Sequence, residues 1–322
     1  MKRVLNLVIA LSLSLLCAAV SAQAFPSKFV KLLVPYAPGG TTDIMARALQ
    51  DPMQKALGQP LIIENKAGGA GVIAMREAAR APADGYTLVF INNGLVEITP
   101  VLQTNAGYDG IKDFAPVGMV SATTMFVVAN ENVPANNLKE FIDYARKHPN
   151  ELEYASAGPG SFGHLSSELF AQAAGIKMVH VPYKGQAPTL NAVLAGEVKL
   201  LITSPSAAMT SYIAARKIKL LAVGSAEPWP LEPGTPTVSS VLPGFRAEPW
   251  FALLAPAGTP PEVIAKLNDA LNKSLASPAI RKQFNDFGLI AKSSTPEQLR
   301  DRIVEEAKIW GDVIRKSGVK IN

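Results

Sequence analysis

A repeated unit constrains the fold of this chain more than any other sequence feature. In each unit a short apolar strand ends in a loop rich in Gly, Ser, Thr or Asn, and the loop begins a helix with apolar residues at helical spacing. The first unit comprises the strand Val30–Pro35, the loop Tyr36–Thr41 and a helix from Thr42 to Leu57. Alternation of this kind predicts mostly parallel sheets with helices on both faces.

The unit recurs along the chain in two sets. The first set continues with strands at Leu61–Glu64 and Tyr86–Ile91 and with a helix at Val72–Arg80. A long apolar run, Val117–Ala129, begins the second set. The further elements predicted in the second set are helices at Asn137–His148, His164–Ala174, Ala187–Ala195 and Ser206–Ala215, and strands at Glu153–Ala157, Met178–Val181, Lys199–Thr203 and Leu220–Val223.

A return to the first set is predicted near residue 250. After the Pro-rich stretch Glu227–Pro243, the segment Trp250–Ala255 predicts a strand, and amphipathic helices follow at Pro261–Ala276 and Pro296–Ser317. Two α/β units joined by two crossings form the layout of a hinged ligand clamp. The predicted division is an export signal at 1–24, lobe one at 25–122 and 251–322, and lobe two at 123–250.

The first predicted helix carries three local expectations. Thr41 or Thr42 can cap its N-terminus. Asp43 lies in the first turn, where the helix dipole favours an anion, so it either stabilises its own helix or takes an amino or hydroxyl group of a ligand. Pro52 is expected to kink or shorten the helix.

The first 24 residues have the pattern of an export signal. Lys2 and Arg3 precede an apolar stretch from Val4 to Val20, and Ala22-Gln23-Ala24 supplies the small residues that a signal peptidase requires. We predict cleavage after Ala24 and an exported, soluble protein that acts outside the cytoplasm. A retained membrane anchor is disfavoured because the apolar stretch is short for a spanning helix and leads directly into the cleavage site.

Composition excludes several classes of function. Cys17 is the only cysteine, and it lies within the signal, so the mature protein has no disulfide and no thiolate nucleophile. The net charge of +5 falls to +3 once Lys2 and Arg3 are removed. A charge this small and dispersed predicts neither nucleic-acid binding nor a polybasic membrane patch.

The Gly-, Ser-, Thr- and Asn-rich loops are the candidate binding site. Helix N-termini carry free N–H groups and a partial positive charge, so they bind carboxylate or phosphate without Arg. In open α/β sheets, ligands bind beyond the carboxyl ends of the strands. Taken together, the loops predict a site for a small anion between two lobes. The loops are Pro38–Asp43, Gly68–Gly71, Asn92–Gly94, Ala157–Ser161 and Thr203-Ser204.

Other chemistries are disfavoured. Gly158–Gly163 matches the GxGxxG pattern, but the acidic residue that a dinucleotide site needs after the next strand is replaced by His180–Tyr183. A hydrolase would have to use Ser161 and His164, which lie in one turn with no GxSxG motif and no orienting acid. His148, at a helix end, and His180, in a strand, are weaker candidates, and no metal motif is present. We predict a protein that is not an enzyme and that has no cofactor.

Seven segments resemble the Bug, or tripartite tricarboxylate transporter, substrate-binding family, and they cover almost all of the mature chain. The segments are VPYAPGGTTDIMARAL (Val34–Leu49), GQPLIIENKAGGAG (Gly58–Gly71), ADGYTLVF (Ala83–Phe90), DFAPVGMV (Asp113–Val120), EYASAGPGSFGHL (Glu153–Leu165), MVHVPYKGQAPTLNAVLAGEV (Met178–Val198) and WFALLAPAGTP (Trp250–Pro260). The resemblance implies a periplasmic Venus-flytrap protein that captures a small carboxylate. It would deliver the ligand to a membrane transporter with one large and one small integral subunit, and we expect it to be monomeric.

The resemblance also implies which residues bind the ligand. The carboxylate would be held mostly by backbone amides, hydroxyls and ordered waters from loops of both lobes. The residues implied are Tyr36, Thr41, Thr42, Asp43 and Asn93 on lobe one, and Ala157, Gly158, Ser161, His164, Tyr183 and Ser204 on lobe two. Thr203-Ser204 departs from the Asp-Asn pair of many relatives, so a second carboxylate or an aromatic acid could fit. A sensor module that presents the ligand to a membrane receptor is the alternative function.

Overall fold

The computed structural model describes residues 25–36, 38–103, 105–183 and 186–319. The predicted export signal lies outside the described residues, as do Lys184 and Gly185, which follow Tyr183. In the part of the chain that the structure describes, no helix combines the length and apolar character needed to cross a membrane.

The described residues form two α/β lobes, each built on its own sheet. The first sheet has six strands in the order β11-β4-β10-β3-β1-β2, and the second has five in the order β7-β6-β8-β5-β9. The strands are β1 (Val30–Val34), β2 (Leu61–Asn65), β3 (Thr87–Asn92), β4 (Phe114–Ala122), β5 (Phe126–Asn130), β6 (Glu153–Ser156), β7 (Val179–Pro182), β8 (Leu200–Thr203), β9 (Ile218–Val223), β10 (Trp250–Pro256) and β11 (Ile290–Ala291).

Helices cover the faces of both sheets, and short 3₁₀ turns lie at Gly69–Gly71 and Val238–Ser240. The helices are α1 (Thr41–Leu57), α2 (Val72–Arg80), α3 (Gly94–Glu97), α4 (Thr99–Leu102), α5 (Leu138–Lys147), α6 (Phe162–Ala174), α7 (Gln186–Ala195), α8 (Ala207–Ala214), α9 (Pro261–Leu275), α10 (Pro278–Asp286) and α11 (Pro296–Ser317). Four of these elements, α3, α4, α10 and β11, were not predicted from the sequence.

Both faces of the first sheet are buried. Along β1, Leu32 and Val34 pack in one apolar cluster with α1 and α9, while Leu33 packs in a second cluster with α2. Successive strand residues point to opposite faces, so a run that is apolar at every position is what a doubly covered sheet requires. The second sheet is covered in the same way, with Val127 in one cluster and Val128 in another.

The prediction of mostly parallel sheets is wrong. β1 pairs in parallel with β2 and β3, and β6 does so with β7 and β8. The remaining pairings, through β4, β5, β9, β10 and β11, are antiparallel. β10 and β5 each begin at the hinge, at the edge where β3 and β8 end, so they run antiparallel to those strands.

The apolar run Val117–Ala129 is not one element. It contains the end of β4 in the first sheet and most of β5 in the second, and Thr123, Thr124 and Met125 form the crossing between them. The crossing remains buried, because Thr123, Thr124 and Met125 are each at most 4% exposed. Its hydrophobic composition therefore reflects burial between the lobes, and hydrophobicity alone did not reveal the break.

The two crossings lie side by side. The Thr123 N–H donates to the Pro249 carbonyl at 2.8 Å, and the Met125 N–H donates to the Ala247 carbonyl at 3.3 Å. Two adjacent extended segments joining two lobes are the usual construction of a hinge.

Helix α11 braces the return crossing. The Trp250 indole Nε1–H donates to Glu306 Oε2 at 2.8 Å. Arg302 Nε donates to Glu306 Oε1 at 2.8 Å, and its Nη2 donates to Glu248 Oε2 at 3.1 Å. Arg246 also pairs with Glu306. The C-terminal helix therefore holds the hinge through buried, charge-assisted hydrogen bonds.

Pro52 does not shorten the first helix. α1 continues through Pro52 to Leu57 and ends at Gly58, whose φ of 73° is left-handed. The apolar face of α1 packs against the first sheet through Met45, Leu49 and Met53, each at most 1% exposed. This burial offsets the hydrogen bond that a proline removes from a helix.

Candidate functional site

The carboxyl ends of the parallel strands face the boundary between the lobes. β3 ends at Asn92, which lies opposite Phe251 at the start of β10, where the chain has just left the hinge. β8 ends at Thr203, which lies opposite Phe126 at the start of β5, where the chain has just entered lobe two. The topology therefore brings the Gly-rich loops of both lobes to the hinge side of each sheet.

The first loop follows β1 and begins α1. Gly40, not Thr41 or Thr42, is the N-cap residue, and no side chain caps the helix, so the predicted threonine cap is wrong. Thr41 is exposed, whereas Thr42 is only 5% exposed. The absence of a side-chain cap leaves N–H groups of the first turn without side-chain acceptors.

Asp43 is bound by protein groups on both of its oxygens. Oδ2 accepts hydrogen bonds from the Gly39 N–H and from Arg47 Nε, both at 2.9 Å, and Oδ1 accepts from Asn65 Nδ2 at 2.9 Å. Burial raises the pKa of the carboxyl, but the hydrogen bonds from Arg47, Gly39 and Asn65 outweigh it and lower the pKa to about 2. Asp43 is therefore a charged support for the loop, and its 2% exposure leaves little surface for a ligand.

Tyr36 is held by Asn92 at the end of β3, which lies in the predicted Asn92–Gly94 loop but is not among the ligand-binding residues that the resemblance implied. Asn92 Nδ2 donates to Tyr36 Oη at 2.6 Å, and Asn92 Oδ1 accepts from the Leu95 N–H at 3.3 Å. Asn93, the predicted residue, is 2% exposed, and its Nδ2 donates to Glu97 Oε2 at 3.2 Å. The geometry at the end of β3 therefore favours Asn92 over Asn93 as the group on the loop side.

The second loop, Ala157–Ser161, follows β6 and begins α6. Gly158 has a φ of 127°, a conformation that glycine adopts without strain. Ser161 is the N-cap residue, and its Oγ accepts a hydrogen bond from the His164 N–H at 3.3 Å. Ala157 is exposed, and Gly158, Gly160 and Ser161 are half-buried, so the loop presents backbone to solvent.

His164 and His180 lie behind this loop. His164 is 5% exposed, and its Nδ1 accepts a hydrogen bond from the Gly160 N–H at 3.0 Å. His180 Nε2 lies 2.7 Å from Ser156 Oγ. Ser161 Oγ is bonded to the His164 backbone and the imidazole to Gly160, which is not the arrangement that a serine nucleophile needs from its general base.

Tyr183 and Ser204 complete the predicted set. The Tyr183 hydroxyl donates to Glu197 at 3.3 Å, and the Tyr183 N–H donates to the Ser156 carbonyl at 2.8 Å. The Ser204 carbonyl accepts from Gln186 Nε2 at 2.6 Å. Tyr183 lies beside the second loop through its backbone, and Ser204 lies at the end of β8, next to α7.

A cavity of about 780 Å³ lies between the lobes. Thr41 and Phe287 line it from lobe one, and Gln186, Ser206 and Trp229 line it from lobe two. Of the predicted site residues, Thr41 alone is part of its lining. Among the described residues that line this cavity, none is Lys or Arg, and two, Glu232 and Asp286, are acidic. Any anion held there would depend on hydroxyls, amides and helix N-termini.

Two asparagines that shape the site, Asn65 and Asn92, were not predicted as site residues from the sequence. Asn65 lies 22 positions from Asp43, and Asn92 lies 56 from Tyr36. Such partners follow from the β1–β2 and β1–β3 pairings, which could be inferred in outline but without register. Polar residues at the ends of adjacent parallel strands were the signal that could have identified both asparagines.

Two α/β lobes joined by paired crossings, with Gly-rich loops of both lobes at their boundary, define a two-lobed solute-binding protein of the periplasmic type. The chain belongs to the tripartite tricarboxylate transporter receptor family. Residues 45–319 match the family described as "Tripartite tricarboxylate transporter family receptor". The chain is 34% identical to the BugT protein of Bordetella pertussis over 308 residues, which cover 95% of this chain and 94% of BugT.

Solved structures of similar proteins support the same assignment. MatC from Rhodopseudomonas palustris, with bound malate, is 33% identical with a TM-score of 0.70, covering 90% of this chain and 100% of that one. Another R. palustris protein, with adipate, is 33% identical with a TM-score of 0.73, covering 92% of this chain and 99% of that one. The family consists of substrate-binding receptors of periplasmic type, and the two-lobed fold predicted from the sequence is confirmed.

Proposed function

We propose that this chain is a periplasmic receptor that captures a small carboxylate between the β1–α1 loop (residues 35–41) and the β6–α6 loop (residues 157–161). It delivers that ligand to a membrane transporter with one large and one small integral subunit. The observation that carries the proposal is that the loops follow β1 and β6, which run parallel to β3 and β8, and that β3 and β8 end beside the strands that begin at the hinge. Each loop begins a helix of at least 13 residues.

The electrostatics of the loops suit an anion without a basic side chain. Unpaired N–H groups and the helix dipole give each N-terminus a partial positive charge. The interlobe cavity is lined by Thr41 but by no residue of the 157–161 loop, and its lining includes the carboxylates of Glu232 and Asp286. The support for an anion therefore comes from the two loops and not from this cavity. Closure of the lobes would remove water from the ligand and strengthen each hydrogen bond to it.

The carboxylate class is supported by relatives. MatC carries malate and another R. palustris receptor carries adipate, and both are 33% identical to this chain. We propose a small dicarboxylate as the first ligand to test. Tyr36, Thr41, Gly158 and Ser161 are the proposed contacts, while Asp43 supports the loop from behind.

The rest of the assignment is proposed on the same basis. The signal is cleaved after Ala24, and the mature protein acts in the periplasm as a monomer. Lobe one comprises 25–122 and 251–322, and lobe two comprises 123–250. The protein is not an enzyme, a proposal supported by the hydrogen bond between the His164 imidazole and the Gly160 backbone.

A thermal-shift screen of the mature protein against mono-, di- and tricarboxylates tests the proposal. A ligand at 100 times its dissociation constant stabilises the folded state by about 2.7 kcal/mol, which is a readily measured rise in melting temperature. Ser161→Ala should weaken the effect. Asn137→Ala removes the N-cap of α5, where Asn137 Oδ1 accepts from the Glu140 N–H at 2.9 Å, and serves as the matched control for lost capping. If no carboxylate stabilises the wild-type protein, the proposal is rejected.

A further inference from the structure

Two histidines from different elements of lobe two are stacked behind the second loop. The ring centroids of His164, on α6, and His180, on β7, lie 3.8 Å apart, and the ring planes differ by 9°. Tyr154 on β6 extends the stack, with its ring 5.0 Å from that of His180. Face-to-face contact at this distance suits neutral rings, because two imidazolium ions there would repel each other strongly.

Each histidine holds one glycine of the loop. His164 Nδ1 accepts the Gly160 N–H at 3.0 Å, so this nitrogen carries no proton. His180 Nε2 lies 2.7 Å from Ser156 Oγ. Ser156 Oγ in turn accepts from the Gly158 N–H at 3.1 Å and lies 3.1 Å from the Gly158 carbonyl. The backbone of Gly158 and Gly160 is therefore fixed by the two rings.

We propose that His164 and His180 are positioning residues that hold the 157–161 loop in its ligand-binding shape only while both rings are neutral, so that acid releases the ligand. This inference rests on the proposed function of the loop. Protonation of His164 at Nδ1 would remove the acceptor of the Gly160 N–H and place two donors against each other. Protonation of His180 would place a positive charge against a ring 3.8 Å away.

The surroundings of the pair oppose protonation. Burial lowers the pKa of His164. Burial and the proximity of His164 lower the pKa of His180 to about 4, and Glu168 opposes part of that shift. The titratable groups facing the pair are Tyr154 on β6 and Glu168 on α6, which are joined by a 2.5 Å hydrogen bond.

The other elements packed near the pair present no charge to it among the described contacts. α11 meets α6 through Trp310, whose ring lies 4.8 Å from that of Phe162. β8 contributes Leu200 and Ile202 to the core beneath α6. On α5, Arg146 contacts α6 only at its far end, through the Ala174 carbonyl at 2.8 Å.

The direction of the pH effect follows from the lowered pKa values. An unfolded histidine has a pKa of about 6.5 and binds a proton before the folded pair does. The unfolding free energy therefore falls as the pH decreases from about 6.5 towards 4. The free energy of opening the loop falls over the same range, because an open loop frees the rings to bind protons that the closed loop excludes. Above pH 7 both rings are neutral in both states, and the loop is intact.

Two variants separate titration from hydrogen bonding. His164→Asn keeps an acceptor near the Nδ1 position, and His180→Gln keeps a polar group near the Nε2 position, but neither residue titrates. His148→Asn is the matched control, because His148 is the third histidine, is 39% exposed and pairs with Glu151 away from the loop. His164→Leu removes the acceptor altogether.

The first measurement is made without ligand. Hydrogen exchange of the Gly158 and Gly160 amides, corrected for intrinsic exchange, is followed from pH 7.5 to 4.5. We expect protection to fall in wild type and in His148→Asn, and to change little in the His164→Asn/His180→Gln double variant. At pH 7.5, His164→Leu should lose Gly160 protection that His164→Asn retains. Loop protection in wild type that is independent of pH overturns the inference, whatever the protein binds.

The second measurement uses malate and adipate as probes. For each protein, the dissociation constant at pH 4.5 is divided by that at pH 7.5, so that titration of the probe affects all proteins equally. The ratio in wild type should be at least about three times the ratio in the double variant, because only wild type couples protonation to the shape of the loop. Equal ratios contradict the inference. If neither probe binds at any pH, the proposed function fails for these probes, and the ligand-free measurement alone decides the inference.

Discussion

The carboxylate of Asp43 accepts a 2.9 Å hydrogen bond from the side-chain amide of Asn65, and this bond ties the first turn of α1 to the end of β2. The same carboxylate holds the Gly39 N–H, so one buried charge fixes the loop that we propose as the first half of the site. Asp43 therefore acts on ligand binding by shaping the loop.

Replacing Asp43 should destabilise the protein in a pH-dependent way. The pKa is lowered to about 2, so its stabilising effect is present above the unfolded value and is lost as the pH falls towards 2. Asp43→Asn should reduce the unfolding free energy at pH 7 by about 2 kcal/mol, and by clearly less at pH 3. Urea unfolding at both pH values checks this. An equal loss at pH 3 and pH 7 would show that the charge is irrelevant.

We expect loss of the Asn92–Tyr36 hydrogen bond to weaken the binding of the carboxylate ligand. Tyr36→Phe removes the acceptor of Asn92 Nδ2, while Asn92 Oδ1 keeps the Leu95 N–H. We expect a loss of about 1 kcal/mol in stability, together with weaker binding of whichever carboxylate the screen identifies. Calorimetric titration measures the affinity. If both Tyr36→Phe and Asn92→Ala bind the carboxylate with unchanged affinity, this part of the loop does not belong to the binding site.

Two helical glycines should respond oppositely to alanine. A Cβ on Gly163, at the start of α6, would lie 2.7 Å from the Ile202 carbonyl oxygen, which is backbone. Gly163→Ala should therefore cost about 1–3 kcal/mol and displace the N-terminus of α6. Gly311 in α11 is the matched control, because its Cβ would meet only the end of Arg315 at 3.3 Å. Gly311→Ala should be neutral or stabilise by up to about 1 kcal/mol in chemical denaturation. If both substitutions are neutral, α6 does not pack against β8 as closely as the 2.7 Å distance indicates.

We expect the buried carboxyl of Glu97 to make the unfolding free energy fall as the pH rises. It is fully buried, and burial together with the negative charge of Glu306 raises its pKa well above the ordinary value. The folded state therefore holds a proton that the unfolded state releases above about pH 4.3, and stability declines as the pH rises. Glu97→Gln should gain more unfolding free energy, relative to wild type, at pH 8 than at pH 5. Glu305→Gln, exposed on α11, should show no such difference. Parallel wild-type and Glu97→Gln curves would contradict this assignment.

Much of the fold could be predicted because local patterns carry it. The helices Val72–Arg80 and Pro296–Ser317 begin and end where the sequence places them, and the return strand begins at Trp250 as expected. These elements combine apolar periodicity with clear end signals. Thr295, for example, forms a capping box with Gln298.

The features that could not be predicted depend on distant partners. The antiparallel pairings of β10 arise where the chain returns through the hinge, and no local pattern encodes a strand direction. The break at 123–125 is hidden because the crossing is as buried as the strands beside it. His164 and His180 meet only because β6 pairs with β7 in a register that places Tyr154 opposite His180. The loops of the candidate site were therefore identifiable from sequence, while the groups that support them were not.

Hydrogen-exchange footprinting with the carboxylate that gives the largest thermal shift tests the central claim most directly. A ligand clamped between the lobes should protect amides in both the 38–43 and 157–164 segments, while the α5 N-terminus around Asn137, at the opposite edge of lobe two, should be unchanged. Protection of one segment alone, or of neither segment despite measured binding, would contradict a site formed by the two loops.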